Sequence, residues 1–289
     1  MKVLVLGCKG QLGRCLSNEL LNTCYEVVYT SRDEIDIANF EETKNKIGEF
    51  SPNVVINATA YTAVDNAEED HEQADRINHL AVANIAHICR EIDCWLVHVS
   101  TDYVFDGTSS LPYKESDQTN PQGVYGQSKL MGEKSVQSSG CKFLIFRTAW
   151  VFSEYGDNFL KTMLRLGRTH DVLKVVDDQI GCPTAGHEIA RVMVSTLAYV
   201  ETAECTSGIY NICSDGPCSW YDFARKIFEV AEAMGLPAPK KIHPISSSEY
   251  PSKVARPANS VLDCSKIHRN FNVEPFSLDK GIFSVMSKL

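Results

Sequence analysis

The sequence predicts an α/β protein in which helices cover both faces of a doubly wound parallel sheet, with a smaller lobe formed by the C-terminal part of the chain. Three observations predict this fold class. Short apolar runs alternate with stretches of helical periodicity over the first 150 residues. The first run leads directly into a glycine-rich turn and then a helix. A chain of 289 residues, 44% of them hydrophobic, can bury the core that such a sheet requires.

The predicted elements follow from these patterns in chain order. A strand that is buried on both faces is apolar almost throughout, and five runs have this character: residues 2–6, 26–30, 54–57, 95–100 and 143–147. Helical spacing of apolar residues predicts helices over 12–21, 40–50, 74–92, 159–166, 188–199 and 220–234. A late strand is predicted over 208–212. Residues 237–257 are rich in proline and serine and are predicted to be loop.

These elements suggest a division of the chain. Residues 1–150 are predicted to form a dinucleotide-binding domain, to which a strand and a helix return from about 185–212. Residues 151–184 and 213–289 are predicted to form the smaller lobe, which would bind a substrate.

Composition excludes several classes of protein. The net charge of −9 argues against a general nucleic-acid binder, which needs a basic face. No run approaches the roughly 20 apolar residues of a membrane-spanning helix, and the first apolar run is too short for a signal peptide. The eleven cysteines contain no Cys-x-x-Cys pair, so no zinc or redox site is indicated. We expect reduced thiols, a cytoplasmic location and no membrane or nucleic-acid partner.

The first turn carries Gly7, Gly10 and Gly13 between a strand and a helix. Glycine permits the tight turn and the close approach of backbone to a pyrophosphate, which the helix N-terminus attracts. The turn therefore predicts a dinucleotide-binding (Rossmann) fold, although an ordinary glycine-rich turn is the alternative. At the end of the second predicted strand Arg32, rather than an acid, indicates NADPH over NADH. Arg32 as a solvated surface residue is the alternative, and Asp33 beside it complicates the choice.

A tyrosine and a lysine four residues apart predict proton-transfer chemistry. Tyr125 and Lys129 would share one face of a helix. A neighbouring ammonium stabilises a phenolate, so we expect the pKa of Tyr125 to fall toward neutrality. Ser100 and Thr101 end an apolar strand, at the sheet edge where such folds bind ligands.

These features together resemble the extended branch of the short-chain dehydrogenase/reductase superfamily. Within it, the sequence is similar to the dTDP-4-dehydrorhamnose reductase family over nearly its whole length. The similar segments are GQLG at 10–13, NATAYTAVD at 57–65, STDYVFDG at 100–107, VYGQSKL at 124–130, GE at 132–133, RTAWVF at 147–152, DQIGCPT at 178–184, RP at 256–257 and SVLD at 260–263.

The resemblance implies roles for individual residues. The catalytic group would be Thr101, Tyr125 and Lys129, with Tyr125 as the proton donor and Lys129 holding the nicotinamide ribose. The other cofactor-binding residues would be Gly7, Gly10, Gln11, Leu12, Gly13, Arg32, Asp36, Ile37, Ala60, Tyr61, Thr62 and Val99. The sugar nucleotide would contact Thr101, Asp102 and Trp150.

Several of these residues have a structural alternative. Asp102 would instead cap a turn, Trp150 would belong to the core, and Asp36 would cap a helix. Asn57 would satisfy backbone groups at a strand end, and His98 would be a core histidine. No metal site is predicted, since Cys15 stands where some relatives place an acidic ligand.

The implied reaction is the NADPH-dependent reduction of the 4-keto group of dTDP-4-dehydro-L-rhamnose, with NADH as a possible cofactor. The implied assembly is a monomer or a weak homodimer. Three alternatives remain open: a reductase of another nucleotide-linked keto sugar, an epimerase or dehydratase, and a non-catalytic subunit resembling the regulatory subunit of methionine adenosyltransferase. The presence of Thr101, Tyr125 and Lys129 together argues against the non-catalytic subunit.

Overall fold

Six parallel strands form one sheet at the centre of the protein. The computed structural model describes residues 1–202, 205–250, 254 and 256–289. The central sheet contains β1 (Lys2–Leu6), β2 (Glu26–Thr30), β3 (Val54–Asn57), β4 (Trp95–Thr101), β5 (Lys142–Thr148) and β10 (Gly208–Asn211). The other strands form two-stranded sheets and are β6 (Val151–Phe152), β7 (Val172–Val176), β8 (Ile180–Gly181), β9 (Thr184–Ala185), β11 (Cys218–Ser219) and β12 (Lys241–Ile245).

Helices connect these strands and cover the sheet. The α-helices are α1 (Gln11–Leu20), α2 (Phe40–Phe50), α3 (Val64–Ala67), α4 (His71–Asp75), α5 (Ala81–Glu91), α6 (Val124–Ser138), α7 (Phe159–Gly167), α8 (Gly186–Val200), α9 (Trp220–Ala233), α10 (Ser265–Phe271) and α11 (Leu278–Met286). One π-helical turn, Arg76–Leu80, joins α4 to α5, and 3₁₀ turns lie at Asp102–Val104 and Ser247–Glu249.

The order of the strands places the site. Across the large sheet they run β10-β5-β4-β3-β1-β2, and every pairing is parallel. The chain turns from β1 to one side and returns through α2 to β3 on the other, so the direction of winding reverses between β1 and β3. Ligands of open parallel sheets bind in the crevice at the carboxyl ends of the strands at such a reversal.

Both faces of the sheet are buried, as the apolar strands predict. One core lies under α1 and α8, and the other lies under α2 and α5. Val3 to Leu6 of β1 are completely buried because alternate side chains enter the two cores. The predicted bounds of β1, β2 and β3 are confirmed, and β4 and β5 are slightly longer than predicted.

Two predictions about individual elements need correction. The helix predicted over 74–92 begins at His71 and contains the π-helical turn, which apolar spacing alone does not reveal. The loop predicted over 237–257 is wrong for residues 241–245, which form β12 and pair in parallel with β7. Its residues 251–253 and 255 lie outside the described residues. Pro244 interrupts the strand pattern, but proline is compatible with an edge strand of this small sheet.

The second half of the chain builds its own hydrophobic core. Side chains of α7, β7, α9 and α11 pack together in it, with Phe223 and Ile227 completely buried at its centre. β10 returns to the large sheet beside β5, and α8 packs against α1. The exact domain boundaries stay a prediction. Within the described ranges, the structure contains no helix with the length and hydropathy needed to cross a membrane.

Candidate active site

The glycine turn after β1 is shaped for close backbone approach. Gly7 has a φ of +85°, which only glycine adopts without strain. A Cβ on Gly13 would lie 2.1 Å from the Gly7 carbonyl oxygen, so α1 can pack against the turn only because residue 13 is glycine. Gly10 is the N-cap of α1, and no side chain caps this helix end. The N-terminal N–H groups of α1 therefore remain available to an anion.

Replacing Gly13 by alanine is expected to lower the free energy of unfolding by about 2 kcal/mol or more and to abolish dinucleotide binding, because the added methyl group displaces backbone. Gly48→Ala is the matched control. Apart from the neighbouring backbone of α2, no atom of the described residues lies within 4 Å of a Cβ at this exposed position, so the change is expected to stabilise the protein by about 0.5–1 kcal/mol. Urea unfolding measures both effects. Equal behaviour of the two variants would contradict the packing argument.

A cavity of about 370 Å³ lies at the carboxyl ends of β1, β2 and β3. It combines seven of the predicted cofactor residues with nine that the sequence did not suggest. The predicted residues are Gly7, Gly10, Arg32, Asp36, Ile37, Ala60 and Tyr61. The others are Lys9, Thr30, Ser31, Ile35, Ala58, Thr59, Gln73, Arg76 and Ile77. Residue 30 ends a predicted strand, and residues 9, 31, 58 and 59 lie within three residues after one, a signal that could have identified them.

The remaining predicted cofactor residues lie outside this cavity. The Gln11 side chain donates to the Val151 carbonyl oxygen at 3.1 Å and accepts from Asn158 at 3.0 Å, so it connects α1 to the second half of the chain. Leu12 packs against the core under α1, and Thr62 is exposed. The Val99 carbonyl oxygen accepts a hydrogen bond from Lys129 Nζ of α6 at 2.6 Å.

Asp36 forms an ion pair with Arg76 at the rim of the cavity. It does not cap α2, because that role belongs to Asn39, whose side chain accepts from the Glu42 N–H. Arg76 is in the π-helical turn, so only the tertiary structure places it at this rim.

Tyr125 and Lys129 lie on α6, as predicted, and the close packing of this helix determines where they point. A Cβ on Gly126 would meet the Tyr103 carbonyl oxygen at 2.2 Å, and one on Gly132 would meet the Asn78 carbonyl oxygen at the same distance. The N-terminus of α6 is held by Glu68, whose carboxylate accepts from the Val124 N–H at 2.7 Å.

The expected lowering of the Tyr125 pKa is wrong for the protein without ligand. Burial raises the pKa of Tyr125 to about 12, and a hydrogen bond from Thr101 opposes this only in part. Burial also lowers the pKa of Lys129 to about 8, with Glu133 acting in the opposite direction. Tyr125 is consequently a neutral phenol at neutral pH, the form that a proton donor requires.

Asn78 connects the segment that lines the cavity to α6. Its side chain accepts from the Tyr61 N–H at 2.9 Å and donates to the Tyr61 carbonyl oxygen and to the Ser128 hydroxyl, both at 3.0 Å. π-Helical turns are frequent at functional sites, and here one places a buried amide between these two elements. The sequence analysis missed Asn78, although a polar residue in the apolar stripe of a predicted helix is a usable signal.

Thr101 and Asp102 are buried at the end of β4. The Thr101 hydroxyl donates to Asp102 Oδ1 at 3.0 Å and accepts from the Tyr103 N–H, so Thr101 rather than Asp102 caps the 3₁₀ turn. Burial raises the pKa of Asp102 to about 6, although hydrogen bonds from Ser260 and Thr101 oppose the shift.

Asp102→Asn is expected to stabilise the protein in a pH-dependent manner. Since the pKa of Asp102 rises on folding from 3.8 to about 6, the native state binds the extra proton and wild-type stability falls as the pH increases across this interval. The variant lacks this titration, so its advantage grows toward about 3 kcal/mol above pH 6. Urea unfolding at several pH values measures it. A gain in stability that does not change with pH would show that the gain does not come from the titration of Asp102.

Trp150 lies between the two halves of the chain. Its φ of +47° is in the left-handed region. Its ring stacks on Trp220 with centroids 3.4 Å apart, and it passes so close to Gly181 that a Cβ there would lie 2.4 Å from the indole. Trp150 packs against the hydrophobic core of the second half of the chain and is partly exposed. This position is compatible both with contact to the sugar nucleotide and with a role in the core.

Trp220 also lines a second cavity, of about 670 Å³, in the second half of the chain. Aromatic and apolar side chains form much of its wall, and Lys174 and Arg256 add positive charge. Arg256 also pairs with Asp65 of α3 at 3.1 Å. The sequence analysis did not identify this cavity, because its walls come from segments between residues 159 and 256.

Comparisons with known proteins agree on one family. The family model of the RmlD substrate binding domain matches residues 1–289. The dTDP-4-dehydrorhamnose reductase of Aggregatibacter actinomycetemcomitans is 41% identical over 287 residues, which cover 98% of each chain.

Solved structures agree with the sequence comparisons. The dTDP-4-dehydrorhamnose reductase of Clostridium acetobutylicum superposes with a TM-score of 0.92 at 37% identity, covering 100% of this chain and 99% of that one. The Bacillus anthracis enzyme of the same name, in complex with NADP, also gives 0.92 with the same coverage, at 33% identity. The chain therefore belongs to the RmlD family, the family of these dTDP-4-dehydrorhamnose reductases.

Proposed function

We propose that this protein reduces the 4-keto group of dTDP-4-dehydro-L-rhamnose to give dTDP-L-rhamnose, with NADPH as the reductant. One observation carries the proposal: Tyr125 and Lys129 contact Thr101 and Val99 near the carboxyl end of β4, in a parallel sheet whose β1 ends in the glycine turn, in a chain of this family. Relatives over 98% of the chain have the name of this activity.

The residues around the first cavity fit a dinucleotide. Gly7 and Gly10 line this cavity, and the uncapped N-terminus of α1 offers backbone N–H groups there, which suits a pyrophosphate. Ser31 lines the same cavity, and its buried hydroxyl has no hydrogen-bond partner among the described residues. A buried polar group without a partner is costly, so a ligand that contacts Ser31 is stabilised. Arg32 adds positive charge to the lining of this cavity, where it would contact a 2′-phosphate, whereas the charge of Lys9 is paired with Asp33.

The chain's own residues account for the proton transfer. Bound NADPH supplies the hydride that reaches the sugar C4. The hydroxyl of Tyr125 donates its proton to the oxygen that becomes negative. Thr101 would donate a hydrogen bond to the same oxygen once its hydroxyl turns away from Asp102. The ammonium of Lys129 orients the ribose and offsets the negative charge that forms on Tyr125. Asp102 and Trp150 would position the sugar.

The second cavity is proposed to hold the nucleotide part of the substrate. Phe159 and Trp220 offer ring faces for a base, whereas Lys174 and Arg256 offer charge for a diphosphate. We also propose that the protein acts in the cytoplasm as a monomer or a weak homodimer, with no membrane or nucleic-acid partner.

The test is the consumption of NADPH when dTDP-4-dehydrorhamnose is generated in situ. The loss of nicotinamide absorbance, together with the appearance of dTDP-L-rhamnose, would support the proposal. NADPH consumption with a different nucleotide-linked keto sugar, and none with this one, would show that the other sugar is the substrate. Tight NADPH binding without oxidation of any such sugar would favour a non-catalytic subunit.

Replacing Arg32 by alanine is expected to weaken NADPH binding about tenfold or more and to change NADH binding little. The guanidinium would contact the 2′-phosphate, and one charge-assisted hydrogen bond contributes roughly 1.5–3 kcal/mol. Dissociation constants for both cofactors measure the effect. Lys9→Ala is a useful comparison, because Lys9 is paired with Asp33 at 2.6 Å and is less available. Equal losses for the two cofactors would contradict the role of Arg32.

A further inference from the structure

Three buried polar side chains, from β3, β4 and α6, form a row that ends at the proposed catalytic lysine. Asn57 Nδ2 lies 3.3 Å from His98 Nδ1, and His98 Nε2 lies 3.4 Å from Lys129 Nζ. Asn57 and His98 are completely buried, and Lys129 is 2% exposed. The proposed mechanism uses only the lysine. The histidine nevertheless is the side chain that touches this amine from behind.

The orientation of the Asn57 amide follows from its neighbours. Its oxygen lies 3.1 Å from the Thr59 backbone nitrogen and 2.5 Å from the Thr59 hydroxyl. A backbone N–H can only donate, so the atom facing it must be the amide oxygen. The NH₂ group then faces His98, and it also can only donate. His98 Nδ1 is therefore an acceptor.

This assignment determines where the ring proton of His98 lies. Burial and the nearby charge of Lys129 hold the pKa of His98 well below its usual range, so the ring is neutral and carries one proton. With Nδ1 accepting from Asn57, that proton is on Nε2. The Nε2–H bond then points at the Lys129 amine, which donates on its other side to the Val99 carbonyl oxygen at 2.6 Å.

The other charged groups near Lys129 act differently. Glu133, one turn further along α6, favours the ammonium form, but its carboxylate already accepts two hydrogen bonds from Arg147 of β5, at 2.9 and 2.6 Å. Asp102, the first residue of the 3₁₀ turn, acts on Tyr125. Tyr125 itself is neutral. His98 is thus the group whose donor faces the amine directly.

We infer that His98 is a positioning residue for Lys129: its Nε2–H donates to Nζ when the amine is neutral, while Nζ donates to the Val99 carbonyl oxygen, and the same donor opposes the ammonium form. The consequence of this contact rests on the proposed function: His98 keeps Lys129 able to exchange a proton during turnover. The geometry of the row itself does not depend on the substrate.

The direct test is the ¹⁵N spectrum of the histidine rings in the full chain, from pH 5.5 to 8, in a ¹⁵N-histidine-labelled sample. His98 is assigned by comparison with His98→Asn, or with His98→Gln if the first variant does not fold. A neutral ring protonated at Nε2 is expected throughout. A ring protonated at Nδ1, or charged at pH 6, would overturn the inference. This result is independent of whether the substrate is correct.

The second readout is the pH profile of kcat/KM for NADPH oxidation. In His98→Asn the shorter side chain keeps the contact with Asn57 but no longer reaches Lys129. The alkaline limb is expected to move to higher pH by about half a unit or more, because an opposing donor is removed. A merely structural role would lower the rate at all pH values without moving the limb. An unmoved limb, or one at lower pH, would overturn the inference.

Discussion

Tyr125→Phe is expected to reduce kcat by roughly 10²–10⁴-fold while leaving NADPH binding nearly intact. The substitution removes one hydroxyl group and keeps the ring, which packs edge-on against Tyr103 with centroids 5.7 Å apart. The pKa of about 12 means that nearly every molecule presents this hydroxyl in its protonated form at neutral pH. Without it, the oxygen that forms on hydride transfer has no proton donor at this position.

Tyr103→Phe is the matched control. It removes the hydroxyl group from the ring next to Tyr125 and keeps both contacts of Tyr103 with α6, the ring contact with Tyr125 and the backbone oxygen beside Gly126. Steady-state rates and NADPH titrations of the two variants separate loss of the proton donor from loss of packing. Similar rates for Tyr125→Phe and the unmodified protein would exclude Tyr125 as the proton donor.

Glu133→Ala is expected to lower the free energy of unfolding by about 3–5 kcal/mol. Glu133 and Arg147 pair through two hydrogen bonds, and their side chains are 0% and 3% exposed. Removing the carboxylate leaves a guanidinium buried against Phe105 without a counter-charge. The loss reflects that unpaired charge more than the strength of the pair.

A double variant separates the cost of the unpaired buried charge from the strength of the ion pair itself. Glu133→Ala combined with Arg147→Met removes both charges, so much of the lost stability is expected to return. Asp171→Ala serves as the surface comparison. It breaks the exposed pair with Lys240, whose side chains are 71% and 76% exposed, and little change is expected. Urea unfolding of the unmodified protein and of these three variants measures the differences. A Glu133→Ala variant as stable as Asp171→Ala would contradict the buried-pair argument.

Several residues of the candidate site could be proposed from the sequence because their signals are local. Gly7, Gly10 and Gly13 lie within one turn, and Tyr125 and Lys129 lie within one turn of one helix. Thr101 ends a run of buried residues. Parallel strands end at the same sheet edge, so these short patterns predict neighbours in space without knowledge of a single contact.

The residues that the sequence analysis missed depend on partners far along the chain. Arg76 reaches Asp36 from 40 positions away, and Asn78 joins Tyr61 to Ser128 across 17 and 50 positions. Trp150 and Trp220 stack although 70 residues separate them in the sequence. Periodicity describes which face of an element is buried, but it does not identify the group on the other side.

Local patterns were sufficient to predict the fold class, the glycine turn and the helix that carries Tyr125 and Lys129, because apolar runs, glycine spacing and helical spacing act within a few residues. The pairing of β7 with β12, the row from Asn57 to Lys129 and the direction of the Tyr125 pKa shift depend on tertiary contacts. The physical reason is burial. Desolvation raises the pKa of a phenol and hydrogen bonds orient an amide according to everything packed around them, and that surrounding exists only once distant segments have come together.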